Sequence, residues 1–353
     1  MAKLLPPPTL TVLTGASGWF GRAFLDAIAR GDSEDTGPVG RNGVVRVLVP
    51  RPEDVLAVKE VPLQVEIHVG DIAEQSVVER LLRGARDASV VHAAGVIHPA
   101  SYADFERVNV LGTKNVVKAA ARECVRRVVY IGSNSPFGTN PCNDDVFRQH
   151  EPFNPYLGYG ESKMRGEAAV REAHQTGRVE TVVVRPPWFY GPWQPRRQTT
   201  FFTLVRKGRF PLIGDGRNRR SMVYIENLIQ GVALAERHHD APGQPFWVAD
   251  SEPYEMKAVI ATVKQALRAE GLEVADRQVR LPAVAGRVAE RTDRALQGRG
   301  IYHQEMHVLG EMDKTIACDV SATIATLGYA PQVALLEGMR RSIRWCLREG
   351  VAL

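Results

Sequence analysis

Thr9-Leu10-Thr11-Val12-Leu13-Thr14-Gly15-Ala16-Ser17-Gly18-Trp19-Phe20-Gly21 sets an apolar run directly before three glycines spaced Gly15-x-x-Gly18-x-x-Gly21. Residues 9–14 read as a buried strand, and a helix is expected from about 21 to 30. Between a strand and a helix, such glycines allow a tight turn. They also let backbone N–H groups approach a dinucleotide pyrophosphate at the positive end of the helix. Outside that context the same spacing is an ordinary turn.

Moving outward from the loop, short apolar runs alternate with helical stretches. Residues 44–49 read as a second strand and 65–69 as a third, ending in Gly70-Asp71. Val90-Val91-His92-Ala93-Ala94-Gly95 reads as a fourth strand running into a loop. Helical periodicity returns around 104–123, and strands follow at 128–131, 181–184 and 246–249. This alternation specifies an α/β fold with a Rossmann doubly wound parallel sheet. After Arg185 comes a proline-rich, aromatic loop, Pro186-Pro187-Trp188-Phe189-Tyr190-Gly191-Pro192, and then mostly helical segments. The expected organisation is a Rossmann domain over 7–185 and about 221–250, with a smaller, mainly helical substrate-binding cap over about 186–220 and 251–350. Residues 31–43 are turn formers throughout and are expected to be a mobile insertion.

Composition narrows the class. The 353 residues suffice for a large core, and 44% hydrophobic with 24% charged content suits a globular chain. No apolar run approaches the length that spans a bilayer, and the first residues do not form a signal peptide. Cys124, Cys142, Cys318 and Cys346 are scattered without a C-x-x-C pair, which fits reduced thiols and gives no zinc site. A cytoplasmic protein with no metal and no membrane partner is expected. The net charge of +5 is mild. Arginines cluster at Arg196-Arg197, 206–209 and 217–220 without a nucleic-acid-binding signature beside them. They read as solvated surface or as contacts for an anionic small molecule, so no nucleic-acid partner is expected.

Tyr159-Gly160-Glu161-Ser162-Lys163 supplies the chemistry. A phenol keeps its proton until about pH 10. A lysine one helical turn on shares its face. Its ammonium favours the phenolate, so the tyrosine can exchange a proton with a substrate alcohol near neutral pH. Paired with a dinucleotide loop, this arrangement points to hydride transfer to or from a nicotinamide.

Further segments follow in a fixed order: Gly70-Asp71, His92-Ala93-Ala94-Gly95, Asn109-Val110-Leu111-Gly112-Thr113, Ser133 five residues before Gly138, Arg185-Pro186 and Tyr190-Gly191-Pro192. With the glycine loop and the Tyr159–Lys163 pair, they resemble the extended short-chain dehydrogenase/reductases, the group called the NAD-dependent epimerase/dehydratase family. The resemblance covers nearly the whole chain. It implies Ser133, Tyr159 and Lys163 as the catalytic set, with Lys163 also on the nicotinamide ribose. It implies cofactor contacts from Gly15, Ser17, Gly18, Trp19, Phe20 and Gly21. Further contacts are implied at Asp71 and Ile72, at Ala93, Ala94 and Gly95, and at Asn109 and Pro186. His92 belongs to the strand signature and reads as structural.

Departures from the family pattern bear on the reaction. Asn134 and Ser135 stand where dehydratase members carry an Asp-Glu pair, which disfavours sugar dehydration. Decarboxylating members keep a glutamate at the Ser135 position. Trp188 stands where sugar-nucleotide members usually have asparagine, making the pocket more apolar. Substrate contacts are expected from His98, Ser133, Ser135, Trp188, Arg197 and Arg220. Gly214-Asp215-Gly216 followed by Arg219-Arg220 resembles the segment that holds a diphosphate in sugar-nucleotide members. The alternative for Arg220 is an ion pair with a carboxylate such as Glu226.

The leading expectation is therefore a nucleotide-sugar epimerase, which oxidises a hydroxyl to a ketone and returns the hydride to the other face. The alternative is a net dehydrogenase or ketoreductase of an apolar alcohol, similar to the 3β-hydroxysteroid dehydrogenases and suited by Trp188 and Phe189. A non-catalytic Rossmann sensor comes third, because nothing would then hold serine, tyrosine and lysine in catalytic register. The second strand ends in Val49-Pro50-Arg51, with no carboxylate before Glu53. Arg51 leans the cofactor to NADP(H), whereas the epimerase reading favours NAD, and both stay open. The resemblance implies a homodimer paired through the helices around 104–123 and after Tyr159.

Overall fold

A computed structural model describes residues 4–41, 43–97, 99, 101–282, 284–301 and 303–353, with only the backbone of 304–307. Seven strands form one parallel sheet: β1 (Leu10–Thr14), β2 (Val44–Val49), β3 (Glu66–Val69), β4 (Ser89–His92), β5 (Arg127–Ile131), β6 (Glu180–Arg185) and β7 (Pro245–Trp247). Their spatial order is β7-β6-β5-β4-β1-β2-β3. All six pairings are parallel. Helices cover the sheet, so the central strands are buried on both faces; every residue of β4 and β5 is buried. That burial explains why they read as runs of valine and isoleucine rather than alternating patterns.

The order reverses between β1 and β4, where Thr14 pairs with Leu48 on one side and His92 on the other. A crevice opens beyond the carboxyl ends of strands at such a reversal. Helix α1 (Trp19–Arg30) leaves β1 and buries Phe20, Phe24 and Ile28. The stretch expected as one helix begins as a π-helix over Phe105–Gly112, continuing as α2 (Thr113–Arg122). Helix α3 (Leu157–Gln175) carries Tyr159 and Lys163. Helix α4 (Ile225–Arg237) is buried nearly throughout and packs against α1. Its last carbonyls are capped by a buried cation. Arg127 Nη1 donates to the oxygens of Ala235, Glu236 and His238 at 3.1, 2.8 and 2.7 Å, while its fork grips Glu180. A cation there complements the negative end of the helix.

The outer segments add short strand pairs. Trp188–Tyr190 lies parallel to Met222–Tyr224, and Arg219–Arg220 antiparallel to Tyr254–Glu255. Helices Arg196–Arg206 and Met256–Ala269 pack together, followed by α5 (Val284–Gln297), Gln304–Glu311 and α6 (Leu335–Arg348).

Several described residues of the stretch expected as a mobile insertion have partners far away in sequence. Val39 is fully buried. Arg41 pairs with the buried Glu236, Asp35 with Arg341 at 2.6 Å, and Gln230 donates to Glu34 O at 3.2 Å. Turn-forming composition makes the chain irregular there, and the ion pairs of Arg41 and Asp35 reach helices α4 and Leu335–Arg348.

Candidate active site

The glycine loop is shaped for close approach of its backbone. Gly15 has φ +76°, and a Cβ there would sit 2.7 Å from Ala94 N. A Cβ on Gly21 would lie 2.2 Å from Gly15 O, so only glycine lets α1 start this close to the loop. No side chain caps α1 at Gly18. Its first-turn N–H groups are therefore left for an anion, as a pyrophosphate seat requires. Ala93 N and Ala94 N bond Thr14 O and Oγ1, both at 3.2 Å, drawing the β4 loop onto the β1 loop. These features fit a dinucleotide. Phe20 itself points into the core, stacked on Phe24 at 5.5 Å, so only its main chain can take part. Trp19 leans the other way: its indole donates to Pro192 O at 2.7 Å and its ring meets Phe189 at 4.5 Å.

Just past β3, Asp71 accepts from Ala73 N at 2.9 Å and pairs with Arg107. Asn115 braces this turn through Ile72 O and Ala73 O. Arg51 is exposed just past β2, and its fork lies on Asp54 at 3.0 and 3.3 Å. A 2′-phosphate would meet a guanidinium already partnered.

Ser133, Tyr159 and Lys163 converge below the crevice. Ser133 follows β5, bonds Ser135 Oγ at 3.1 Å and hydrogen-bonds the Tyr159 phenol. Lys163 Nζ donates to Ile131 O at 2.8 Å and lies 4.3 Å from the Tyr130 ring centre. Burial pushes the Lys163 ammonium down to about 7, opposed by Glu167 one turn on. Burial likewise raises the Tyr159 phenol, while the Ser133 bond and the Arg197 charge pull it back. Arg197 is thus a second cation that favours the phenolate, besides Lys163 one turn along the helix, whose ammonium is held by the Ile131 carbonyl and the Tyr130 face. His92 is structural as expected, held between Thr14 Oγ1 (2.7 Å) and Thr113 Oγ1 (2.9 Å), and burial takes it down to about 3. The Asn109 amide is consumed within the protein by Val96 N, Val96 O and Ser162 Oγ. Its part is to fix the loop beyond Gly95. Pro186 is buried directly after β6.

Several supporting residues escaped the sequence reading. Tyr130 sits under Lys163, and Phe105 lies 6.1 Å from the Tyr159 ring. Glu167 is fully buried between Arg185 (2.5 Å) and Arg171 (2.6 Å). Its spacing from Lys163, one helical turn, was the available signal.

The substrate side is less concerted. Trp188 donates to Gln198 Oε1 at 3.2 Å and packs edge-on against Phe201 at 5.3 Å. Ser135 sits beside Ser133, and Arg197 opens helix Arg196–Arg206. Arg220 meets neither expectation cleanly. It donates to the main-chain oxygen of Glu311, and Glu226 is taken by Arg30 and Arg341, each at 2.9 Å. His98 lies outside the described residues.

The NAD dependent epimerase/dehydratase family model matches residues 11–249, and the chain belongs to that family. It is an oxidoreductase or epimerase built on an NAD-binding fold. The chain is 46% identical over 344 residues to the uncharacterized protein y4nL of Sinorhizobium fredii, covering 97% of this chain and 96% of that one. It is 28% identical over 338 residues (93% and 94% of the two chains) to 4-hydroxy-2-methyl-3-oxo-4-farnesyl-3,4-dihydroquinoline-1-oxide ketoreductase of Stigmatella aurantiaca. It is 29% identical over 207 residues, covering 56% of this chain and 60% of the other, to N-acetyl-alpha-D-glucosaminyl-diphospho-ditrans,octacis-undecaprenol 4-epimerase of Escherichia coli O157:H7. Among solved structures, dTDP-glucose 4,6-dehydratase (DesIV) of Streptomyces venezuelae, with NAD bound, matches with a TM-score of 0.73 at 21% identity, over 96% of this chain and 97% of that one. That likeness concerns the fold.

Proposed function

We propose that this protein moves hydride between a nicotinamide cofactor and a secondary alcohol or ketone set in apolar surroundings, as a net dehydrogenase or ketoreductase. The reaction class rests on one observation: Ser133, Tyr159 and Lys163 meet beside the uncapped glycine loop. Gly15 to Gly21 would hold the pyrophosphate, and Lys163 would bond the nicotinamide ribose. When bound, the nicotinamide would supply or accept the hydride. Tyr159 Oη gives its proton to the substrate oxygen in reduction and takes it back in oxidation. Ser133 Oγ hydrogen-bonds the same oxygen and holds it beside the phenol.

The substrate class reverses the order of the two readings drawn from sequence. Arg220 spends donors on the Glu311 carbonyl, Trp188 presents an indole, and Asn134 and Ser135 offer no carboxylate. The ketoreductase relative supports this reading, since its match spans almost the whole of both chains. The epimerase is the second reading, supported by the Gly214-Asp215-Gly216 lead-in to Arg220 and by the 4-epimerase relative.

Calorimetry with uridine and thymidine diphosphates separates the two. Apolar-substrate chemistry expects no binding by the unmodified protein. Binding that Arg220→Ala weakens more than tenfold, about 1.4 kcal/mol, would put the epimerase back in first place. Cofactor preference is proposed to lean to NADP(H) through Arg51, whose exposed guanidinium would exchange Asp54 for a 2′-phosphate. Titration of both cofactors tests it, and at least about tenfold tighter NAD binding sinks it. A homodimer through 105–122 and α3 is proposed as well, and a monomer mass by light scattering would refute it.

A further inference from the structure

Helix α5 packs one face inward and leaves two valines among arginines on the face turned to water. Gly286, Ala289, Asp293 and Gln297 are buried, and their spacing lines one face. The opposite face carries Val284, Val288 and Ala295, with the two valines 57% and 56% exposed. Single exposed aliphatic residues are ordinary, but these are concentrated. Five of the eleven exposed large apolar side chains among the described residues fall between Val279 and Val308.

Among the described residues, the unpaired charges beside the valines have one sign. Arg287, Arg291 and Arg294 are all exposed along the same side of α5. The helix has two acids. Asp293 is buried, bonded by Tyr156 at 3.1 Å and Gln297 at 2.9 Å. Glu290 is taken by Arg294 and Lys314, both at 3.1 Å. Arg287 and Arg291 make no ion pair among the described residues. An apolar row flanked by unneutralised guanidiniums complements an anionic lipid surface. Valines can enter the boundary between headgroups and chains while arginines meet phosphates.

We propose that the outward face of α5 docks the protein peripherally on a membrane that carries anionic lipid. The buried face of α5 reaches the catalytic helix, since Tyr156, directly before α3, donates to Asp293 and to Glu290 O. Docking would therefore set α3 beside the bilayer, where an apolar ketone is dissolved. That purpose rests on the apolar-substrate reading; the docking itself does not. The contact proposed is peripheral, since no described helix is long and apolar enough to cross a membrane.

The test uses the full chain without substrate, floated with phosphatidylcholine vesicles and with phosphatidylcholine–phosphatidylglycerol vesicles. The protein should float only with the anionic vesicles, and less as salt rises. Arg287→Gln with Arg291→Gln should lower partition by more than about tenfold. Val284→Ser with Val288→Ser should lower it severalfold while leaving melting temperature and cofactor affinity unchanged. Absence of wild-type binding to anionic vesicles overturns the proposal, as does wild-type partition by either double variant. It is also overturned if light scattering finds a dimer that the valine variant dissolves, because a second copy then covers the face. Nucleoside diphosphate binding would defeat the apolar-substrate reading alone and leave the vesicle result standing.

Discussion

The catalytic helix α3 and the outer helix α5 meet at Tyr156 but follow opposite rules of exposure. Helix α3 buries Ser162, Lys163 and Glu167, and each has partners: Asn109 and Tyr159 O, the Ile131 carbonyl, and a pair of arginines. Helix α5 exposes valines and keeps a carboxylate inside. Polar groups belong inside only where every bond is made, and apolar groups outside only where something meets them. Each helix breaks the ordinary pattern, one around the chemistry and one at the surface. Departures from local rules concentrate where a protein works.

The comparison breaks most visibly at Tyr159. Tyr159→Phe should cut turnover by roughly 100- to 10,000-fold and leave cofactor affinity intact, read by steady-state kinetics and cofactor titration. Near-normal turnover would mean that the buried polar cluster of α3 serves folding rather than proton transfer.

A smaller effect is expected where an exposed charge reaches into that cluster. Arg197 pulls the Tyr159 phenol down against burial. Arg197→Ala removes a cation that favours the phenolate, so the phenol titrates at higher pH. In the oxidation direction, where the phenolate is the base, the rising limb of the pH–rate profile should move to higher pH. At a fixed pH below that limb the rate should fall a few-fold, on the order of what one exposed charge contributes. An unmoved limb would leave that role to Lys163 alone.

The smallest effect concerns the tie between the helices. Tyr156→Phe removes the donor to Asp293 and should cost about 1 kcal/mol, read by denaturant unfolding. Turnover at saturating substrate should change less than twofold, on the order of the scatter of such assays, because Tyr156 does not touch the reacting atoms. A large loss of turnover would mean that α5 positions α3, sharpening the link between the outer face and the chemistry.

Much of the inner region was legible in the residues. Buried parallel strands announce themselves as short runs of β-branched residues, so all seven were read within one or two positions of where they form. Tyr159 and Lys163 share a helical face by spacing alone, and the glycine loop carries its own steric reason at Gly15 and Gly21. These features depend on residues close in sequence, so periodicity and backbone sterics determine them. The choice among distant partners is different, because many carboxylates and carbonyls are chemically equal candidates until the chain packs. Arg220 took Glu311 O rather than Glu226, and the 31–43 stretch was anchored through Glu236 and Arg341. Lys163 turned to Ile131 O, and Arg197 came to face Tyr159 as a second charge. Which face of α5 packs inward, the one with Asp293, was decided by its contact with Tyr156.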